Sequence, residues 1–147
     1  MKKISLQPDK YLTDLLSDKR ADMQSLDSMI SSVFRKDDRA IWRGKFWGGS
    51  DQIIIGYGDW SYERSDKKIV NWFKVGLAMQ KNYISLYINA VENGQYVTKK
   101  YADKLGKAKV GSSSVSFKEL SDINTDELEH LLIMASQNHR QVSSEGS

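Results

Sequence analysis

Apolar residues first recur at helical spacing. Tyr11, Leu12, Leu15 and Leu16 follow Pro8, which suits a first helical turn because its missing N–H costs nothing there. Met23, Leu26, Met29, Ile30, Val33 and Phe34 make a second stripe. The pattern predicts two helices joined near Asp18, with Ser17 or Asp18 capping the second and one long helix as the alternative. From Ala40 the pattern alternates instead, and strands are expected over 41–47, 52–62, 72–79 and 83–90. In the third, Phe73, Val75, Leu77 and Met79 point one way and Trp72, Lys74, Gly76 and Ala78 the other, so Trp72 and Phe73 fall on opposite faces. In the fourth, Ile84, Leu86, Ile88 and Ala90 alternate with Tyr83, Ser85, Tyr87 and Asn89. Gly48-Gly49-Ser50-Asp51, Ser65-Asp66-Lys67-Lys68 and Gln80-Lys81-Asn82 are short turns, which imply a meander of hairpins rather than parallel crossovers.

A third helix is expected over 96–105, a Gly/Ser/Lys-rich loop over 106–112 and a short strand over 114–117. Asn124 or Thr125 caps a last helix whose buried stripe is Leu128, Leu131, Leu132 and Ala135. The order is α-α-β-β-β-β-α-β-α, an α+β fold with an antiparallel sheet of about five strands and helices mainly on one face. Residues 1–135 read as a single domain and 136–147 as a flexible tail.

Several strings along this pattern resemble the YdhG-like domain family. They are Trp47-Gly48, Ile55-Gly56-Tyr57-Gly58, Tyr62, Trp72, Val75-Gly76-Leu77, Lys81-Asn82 and Ile84-Ser85-Leu86-Tyr87, then Leu105-Gly106-Lys107, Gly111, Lys118, Leu120-Ser121-Asp122-Ile123 and Leu128. The resemblance covers about residues 40–134 and implies a small bacterial cytoplasmic protein. Some family members are described as frataxin-like intracellular iron chaperones, so the resemblance also implies iron as a candidate cofactor or cargo. This chain departs from the family pattern at Ser65-Asp66-Lys67-Lys68-Ile69, at Gln80 and at Ser112-Ser113-Ser114, which puts the family's function in question at those positions.

Composition narrows the chemistry. The 147 residues contain no cysteine, which excludes disulfides, thiolate metal sites and cysteine nucleophiles and fits a reducing cytoplasm. A net charge of +3 from 22 basic and 19 acidic residues is weak for a dedicated DNA-binding domain. The N-terminal lysines precede no apolar run, so a signal peptide is not expected, and no stretch approaches the roughly 20 apolar residues of a membrane span.

Four constellations carry candidate chemistry. Asp14, Asp18 and Asp22 would line one face of a continuous helix and are the candidate metal ligands. Residues 1–38 nevertheless balance seven basic against seven acidic side chains, which reads as a solvated mixed-charge surface. Glu127 and His130 form a single Glu-x-x-His, where a di-iron bundle needs two. The segment from Lys99 to Lys109 carries five lysines against Asp103 and runs into a small-residue loop; Lys104, Lys107, Lys109, Gly111, Ser112 and Ser113 are the candidate anion or nucleic-acid contacts. Gly106 and Gly111 have phosphate-loop spacing without the Lys-Ser/Thr that should follow.

Aromatic residues crowd the sheet region. If helices cover one face alone, Trp42, Trp47, Tyr57, Trp60, Tyr62, Trp72 and Tyr87 are the candidate ligand or partner surface. No pair of carboxylates suggests an acid and a base, so catalysis is not expected. The expectation is a cytoplasmic, non-catalytic binding module for a protein or small-molecule partner, with homodimerisation through the same surface as an alternative and no membrane association.

Overall fold

A computed structural model describes residues 2–35, 39–45 and 51–137, with the side chains of Trp60 and Tyr62 outside that description. Nine strands and four α-helices are described: β1 (Lys2–Ile4), α1 (Pro8–Thr13), α2 (Arg20–Val33), β2 (Ala40–Lys45), β3 (Asp51–Glu63), β4 (Ile69–Met79), β5 (Ile84–Ile88), β6 (Val91–Glu92), β7 (Gln95–Tyr96), α3 (Val97–Lys100), β8 (Lys109–Val110), β9 (Ser114–Phe117) and α4 (Thr125–Gln137). Seven of the strands form one antiparallel sheet in the order β1-β2-β3-β4-β5-β9-β8, and β6 and β7 form a separate hairpin. The architecture is α+β, as expected, with a wider sheet than the alternation suggested.

Two rows of the register show how the sheet divides its side chains. Ile41, Ile55, Leu77, Leu86, Val115 and Val110 stand in line across six strands. All but Val110 belong to the buried core, against Met23, Leu26 and Ile30 of α2 and Leu128, Leu131, Leu132 and Ala135 of α4. Trp42, Ile54, Ala78, Ser85, Ser116 and Lys109 form the next row, so period-two alternation sends them to the opposite face. Among the described residues no helix packs there.

The two N-terminal helices are separate, as the stripe predicts. Pro8 opens α1, and Asp14 closes it by donating its N–H to Lys10 O. Leu12 and Leu15 enter the core, whereas Leu16, expected in the stripe, is 98% exposed because the helix has already ended. Neither Ser17 nor Asp18 caps α2. The N-cap is Lys19, without a side-chain bond, and the Ser17 hydroxyl instead accepts the N–H of Lys19 one residue early. Asn124 caps α4 as expected, its Oδ1 accepting the N–H groups of Asp126 and Glu127.

A buried polar contact ties α2 to the sheet. Asp27, 5% exposed, accepts both Arg39 Nη1, 2.9 Å from each carboxylate oxygen, and the Tyr57 hydroxyl at 2.7 Å. Arg39 also donates from Nη2 to Asp9 of α1 at 3.0 Å. Two helices, the residue before β2 and strand β3 therefore meet at one charge cluster.

Three departures from the expected elements have identifiable causes. Lys2-Lys3-Ile4 is too short to show alternation, and it is a strand because it pairs with β2. The helix expected over 96–105 is one α-turn, α3, followed by a 3-10 turn at Ala102–Lys104. It stops because the backbone around Leu105 pairs with the chain near residue 123: Asn124 N–H donates to Leu105 O, and Lys107 N–H to Asp122 O. Asn93 and Gly94, both at positive φ, turn β6 into β7. Asn-Gly is a strong hairpin signal that the helical reading of this region passed over.

A fourth departure, in the face that a side chain takes while the register holds, matters most. The β3–β4 ladder passes from Tyr57↔Val75 to Asp59↔Phe73, and Gly58 between them sits at φ +74°. Lys74 reaches Ser136 O of α4 at 3.4 Å, so it lies on the helix side with Val75. Phe73 is thereby turned out of the row predicted for it and joins Trp42, Ile54, Ala78 and Tyr87 on the other face. Trp72 packs beside it, so the expected opposition of Trp72 and Phe73 does not occur.

Gly56 and Gly76, register partners in the middle of β3 and β4, leave room for these rings. A Cβ on Gly76 would stand 2.5 Å from Phe73 Cε1 and 2.9 Å from Ile54 Cγ2. Both neighbours are buried and cannot retreat. Gly76→Ala is expected to destabilise the domain by about 1–3 kcal/mol in urea unfolding and to weaken the near-ultraviolet signal of the tryptophans.

Candidate functional site

The helix-free face is built from rings laid over glycine. The Trp72 and Phe73 rings stack at 4.5 Å and 25°, Trp42 meets Trp72 at 5.1 Å and 60°, and Trp42 meets Phe73 edge-on at 5.9 Å. A Cβ on Gly56 would stand 2.6 Å from Trp42 Nε1 and 2.9 Å from Phe73 Cδ2, so the indole and the phenyl ring occupy the space a side chain would need. Ile54 and Ala78 are closed off beneath this cluster, and Trp42 itself is 7% exposed. Further along the face, Ser85 Oγ lies 3.0 Å from Ser116 Oγ, and Gln80 Nε2 donates to Gln52 Oε1 at 3.0 Å. The middle of this face is therefore largely satisfied within the chain.

Among the described residues, a groove stays open at each end of this face. Beside β1, a groove of about 690 Å³ is lined by Lys2, Lys3, Trp42, Asp59, Ser61, Asn71 and Trp72. It forms where β3 and β4 run on past their neighbours: β2 pairs β3 as far as Gly56 and β5 pairs β4 from Val75, while the β3–β4 ladder continues to Glu63↔Ile69. Lys3 Nζ stands 5.6 Å over the Trp42 ring and makes one rim of the groove. At the opposite edge of the sheet, a second groove of about 370 Å³ is lined by Tyr83, Lys109, Gly111, Ser114, Ser116, Phe117 and Lys118.

The expected aromatic surface is thus divided. Trp42 and Trp72 share the larger groove, whereas Tyr87 is 8% exposed and packs within the cluster. Burial raises the Tyr87 hydroxyl above its usual range, and hydrogen bonds with Gln80 and Ser85 moderate the rise. Tyr57 does not belong to this surface at all. It follows Gly56 in β3, so alternation carries it under the helices, where it is fully buried against Asp27. Trp47 lies outside the described residues, as do the side chains of Trp60 and Tyr62.

The lysine-rich segment also separates. Lys100 pairs with Glu92 at 2.6 Å, and its ammonium and that of Lys104 each lie 5.7 Å from the Tyr101 ring centre. Bonds from Lys100 and then from the Tyr101 hydroxyl hold the Glu92 carboxyl below its usual range. Lys109 and Gly111 line the smaller groove; Lys104, Lys107, Ser112 and Ser113 do not. Part of the loop's backbone is already engaged within the chain. Gly111 N–H is donated to Ser114 O, and the carbonyls of Ser112 and Ser113 accept from Thr98 Oγ1 and Ile88 N.

The three candidate metal ligands are not brought together. Asp14 is exposed and bound to Lys10 at 2.8 Å, Asp18 lies in the turn between helices beside Ser17, and Asp22 accepts the Leu120 N–H at 3.0 Å. The end of α1 destroys the spacing that would have aligned them. Glu127 and His130 contact each other at 3.1 Å, with the imidazole edge-on to Tyr101. Among the described residues no three His, Asp or Glu side chains converge on a point that could hold a metal ion. No described helix is long and apolar enough to cross a membrane.

Comparison with protein-family models, with curated proteins and with solved structures returned no match.

Tyr57 offers a direct check on the buried network. Burial, and then the Asp27 charge, push its hydroxyl well above the usual tyrosine range. Above about pH 10 an unfolded chain ionises this tyrosine while the native state keeps its proton, so native stability falls as pH rises. That contribution is complete below the unfolded value and is lost as pH rises through the folded one. Tyr57→Phe is expected to cost about 1.5–3 kcal/mol near neutrality, where Asp27 loses a donor. Above pH 10 the gap from the parent protein should narrow by up to about 1.4 kcal/mol per pH unit in urea unfolding.

Proposed function

We propose that the protein is a non-catalytic binding module whose site is the groove between β1 and the extended β3–β4 pair. The carrying observation is the meeting there of tryptophan rings with short polar side chains. Trp72 is partly exposed and braced from behind by Phe73, which makes it a rigid stacking surface. Asp59, Ser61 and Asn71 bring an acceptor, a hydroxyl and an amide to the same space, and Lys2 and Lys3 add positive charge from the facing strand. The volume lies within the range of small-molecule sites, about 300–1,000 Å³. The ligand class this fits is a small polar molecule with a flat or sugar ring.

Asp59 is the carboxylate among the groove's described lining residues, which include no second acid or histidine. That favours binding over acid–base chemistry. We infer on the same footing that the chain is a cytoplasmic YdhG-like protein. Support comes from the strings that carry the resemblance, because Gly56, Gly76 and Gly106 each stand where a Cβ would collide with a neighbour. This supports a shared fold. An iron role has no comparable support from the placement of Asp14, Asp18 and Asp22.

The test is calorimetric titration with adenosine monophosphate, glucose, maltose and ferrous iron, followed in parallel by tryptophan fluorescence. One of the first three is expected to saturate with a fluorescence change. Trp72→Ala should weaken it by about 5- to 150-fold, the equivalent of 1–3 kcal/mol for a ring stacked on an aromatic side chain, with the melting transition still cooperative. Saturable binding of iron alone, or ligand binding indifferent to Trp72→Ala, overturns the proposal.

A further inference from the structure

The smaller groove is independent of the first and has a different character. It lies on the same face at the far edge of the sheet, among β8, β9 and the residue before β5. Its charged lining residues are both cationic, Lys109 and Lys118, and both are exposed. Lys19 Nζ donates to the Lys118 carbonyl at 3.0 Å, but Lys19 does not itself line the groove. Glu119 and Asp122 follow Lys118 in sequence but do not line the groove.

Hydroxyls and rings complete it. Lys109 and Ser116 are register partners, and Ser114 stands two residues before Ser116 on the same face of β9. Gly111 lets the Ser114 hydroxyl approach: a Cβ there would stand 2.5 Å from Ser114 Oγ. Tyr83, 42% exposed, gives the groove an apolar side, whereas Phe117 lines it while almost wholly buried in the core.

We propose that this groove binds a small organic anion, a carboxylate or phosphate carrying one ring. The anion sits between Lys109 and Lys118 and takes hydrogen bonds from Ser114 and Ser116, while the ring lies against Tyr83. Charge complementarity selects the head group, and the exposed tyrosine selects against a bare ion.

The experiment uses the full chain with phenyl phosphate, benzoate and inorganic phosphate as probes, read by amide chemical shifts and calorimetry. Phenyl phosphate or benzoate should saturate with shifts confined to Tyr83, Lys109, Gly111 and residues 114–118, and bind at least about tenfold more tightly than inorganic phosphate. Lys109→Ala combined with Lys118→Ala should abolish these shifts, and Tyr83→Ala should remove the preference for the ring. The Lys2→Ala/Lys3→Ala pair, at the opposite edge, should leave them intact. Equal affinity for inorganic phosphate, shifts that persist in the Lys109/Lys118 double variant, or no saturation by either organic probe would overturn the proposal. Circular dichroism of each variant confirms that the fold is retained.

Discussion

The seating of the two N-terminal helices on the sheet depends on one buried carboxylate. Asp27 lies on the inner stripe of α2, where an apolar residue would be the ordinary choice. Removed from water, its charge demands partners, and it has them in the Arg39 guanidinium and the Tyr57 hydroxyl. Apolar contacts would let α2 slide or rotate over the sheet at modest cost. A carboxylate that must meet a phenol on β3 and an arginine just before β2 fixes both the register of the helix and the start of the strand. The further bond from Arg39 to Asp9 extends the constraint to α1.

The opposite face solves the same problem without helices. A sheet covered on one side must otherwise leave apolar area wet on the other. Here glycines at facing positions of β3 and β4 make a shallow seat, and the rings of Trp42 and Phe73 fold down into it over Ile54 and Ala78. Rings are held in place by the absence of side chains beneath them, so burial is achieved by a layer one residue deep. The open space that results is displaced to the edges of the sheet, and this is why both grooves lie there.

Much of the fold was legible because it follows from periodicity. The break between α1 and α2, the β4–β5 hairpin, β9 and the Asn124 cap of α4 all rest on local signals that the tertiary structure does not override. The misses have a common cause: they depend on partners distant in sequence. β1 exists only through β2, and α3 is cut short by pairing near residue 123. The switch at Gly58 is subtler. Alternation put Phe73 in the row of Val75 and Leu77, and a single positive-φ glycine on the neighbouring strand accompanies its turn to the other face. Trp42 and Trp72, singled out as surface candidates, both line the larger groove, but Tyr57 was not separable from them without the knowledge that β3 places its odd residues inward as far as Gly58. Lys2, Lys3, Asp59, Ser61 and Asn71 carried no motif. They become a group only when β1 is laid beside the sheet.

The length of the β3–β4 pair has one more consequence, for how molecules of this protein meet one another. Beyond Asp59 and Phe73 the strand partner of each, among the described residues, is the other, so this two-stranded ribbon has a strand edge on each side. Such edges invite a strand from a second chain. The tip here carries Glu63, Arg64, Asp66, Lys67 and Lys68, with Lys67 3.8 Å from Glu63 and Arg64 3.5 Å from Asp66. A partner strand sliding along either edge would have to strip water from these side chains in turn. The charged end of the ribbon therefore raises the cost of adding a strand from a second copy along it.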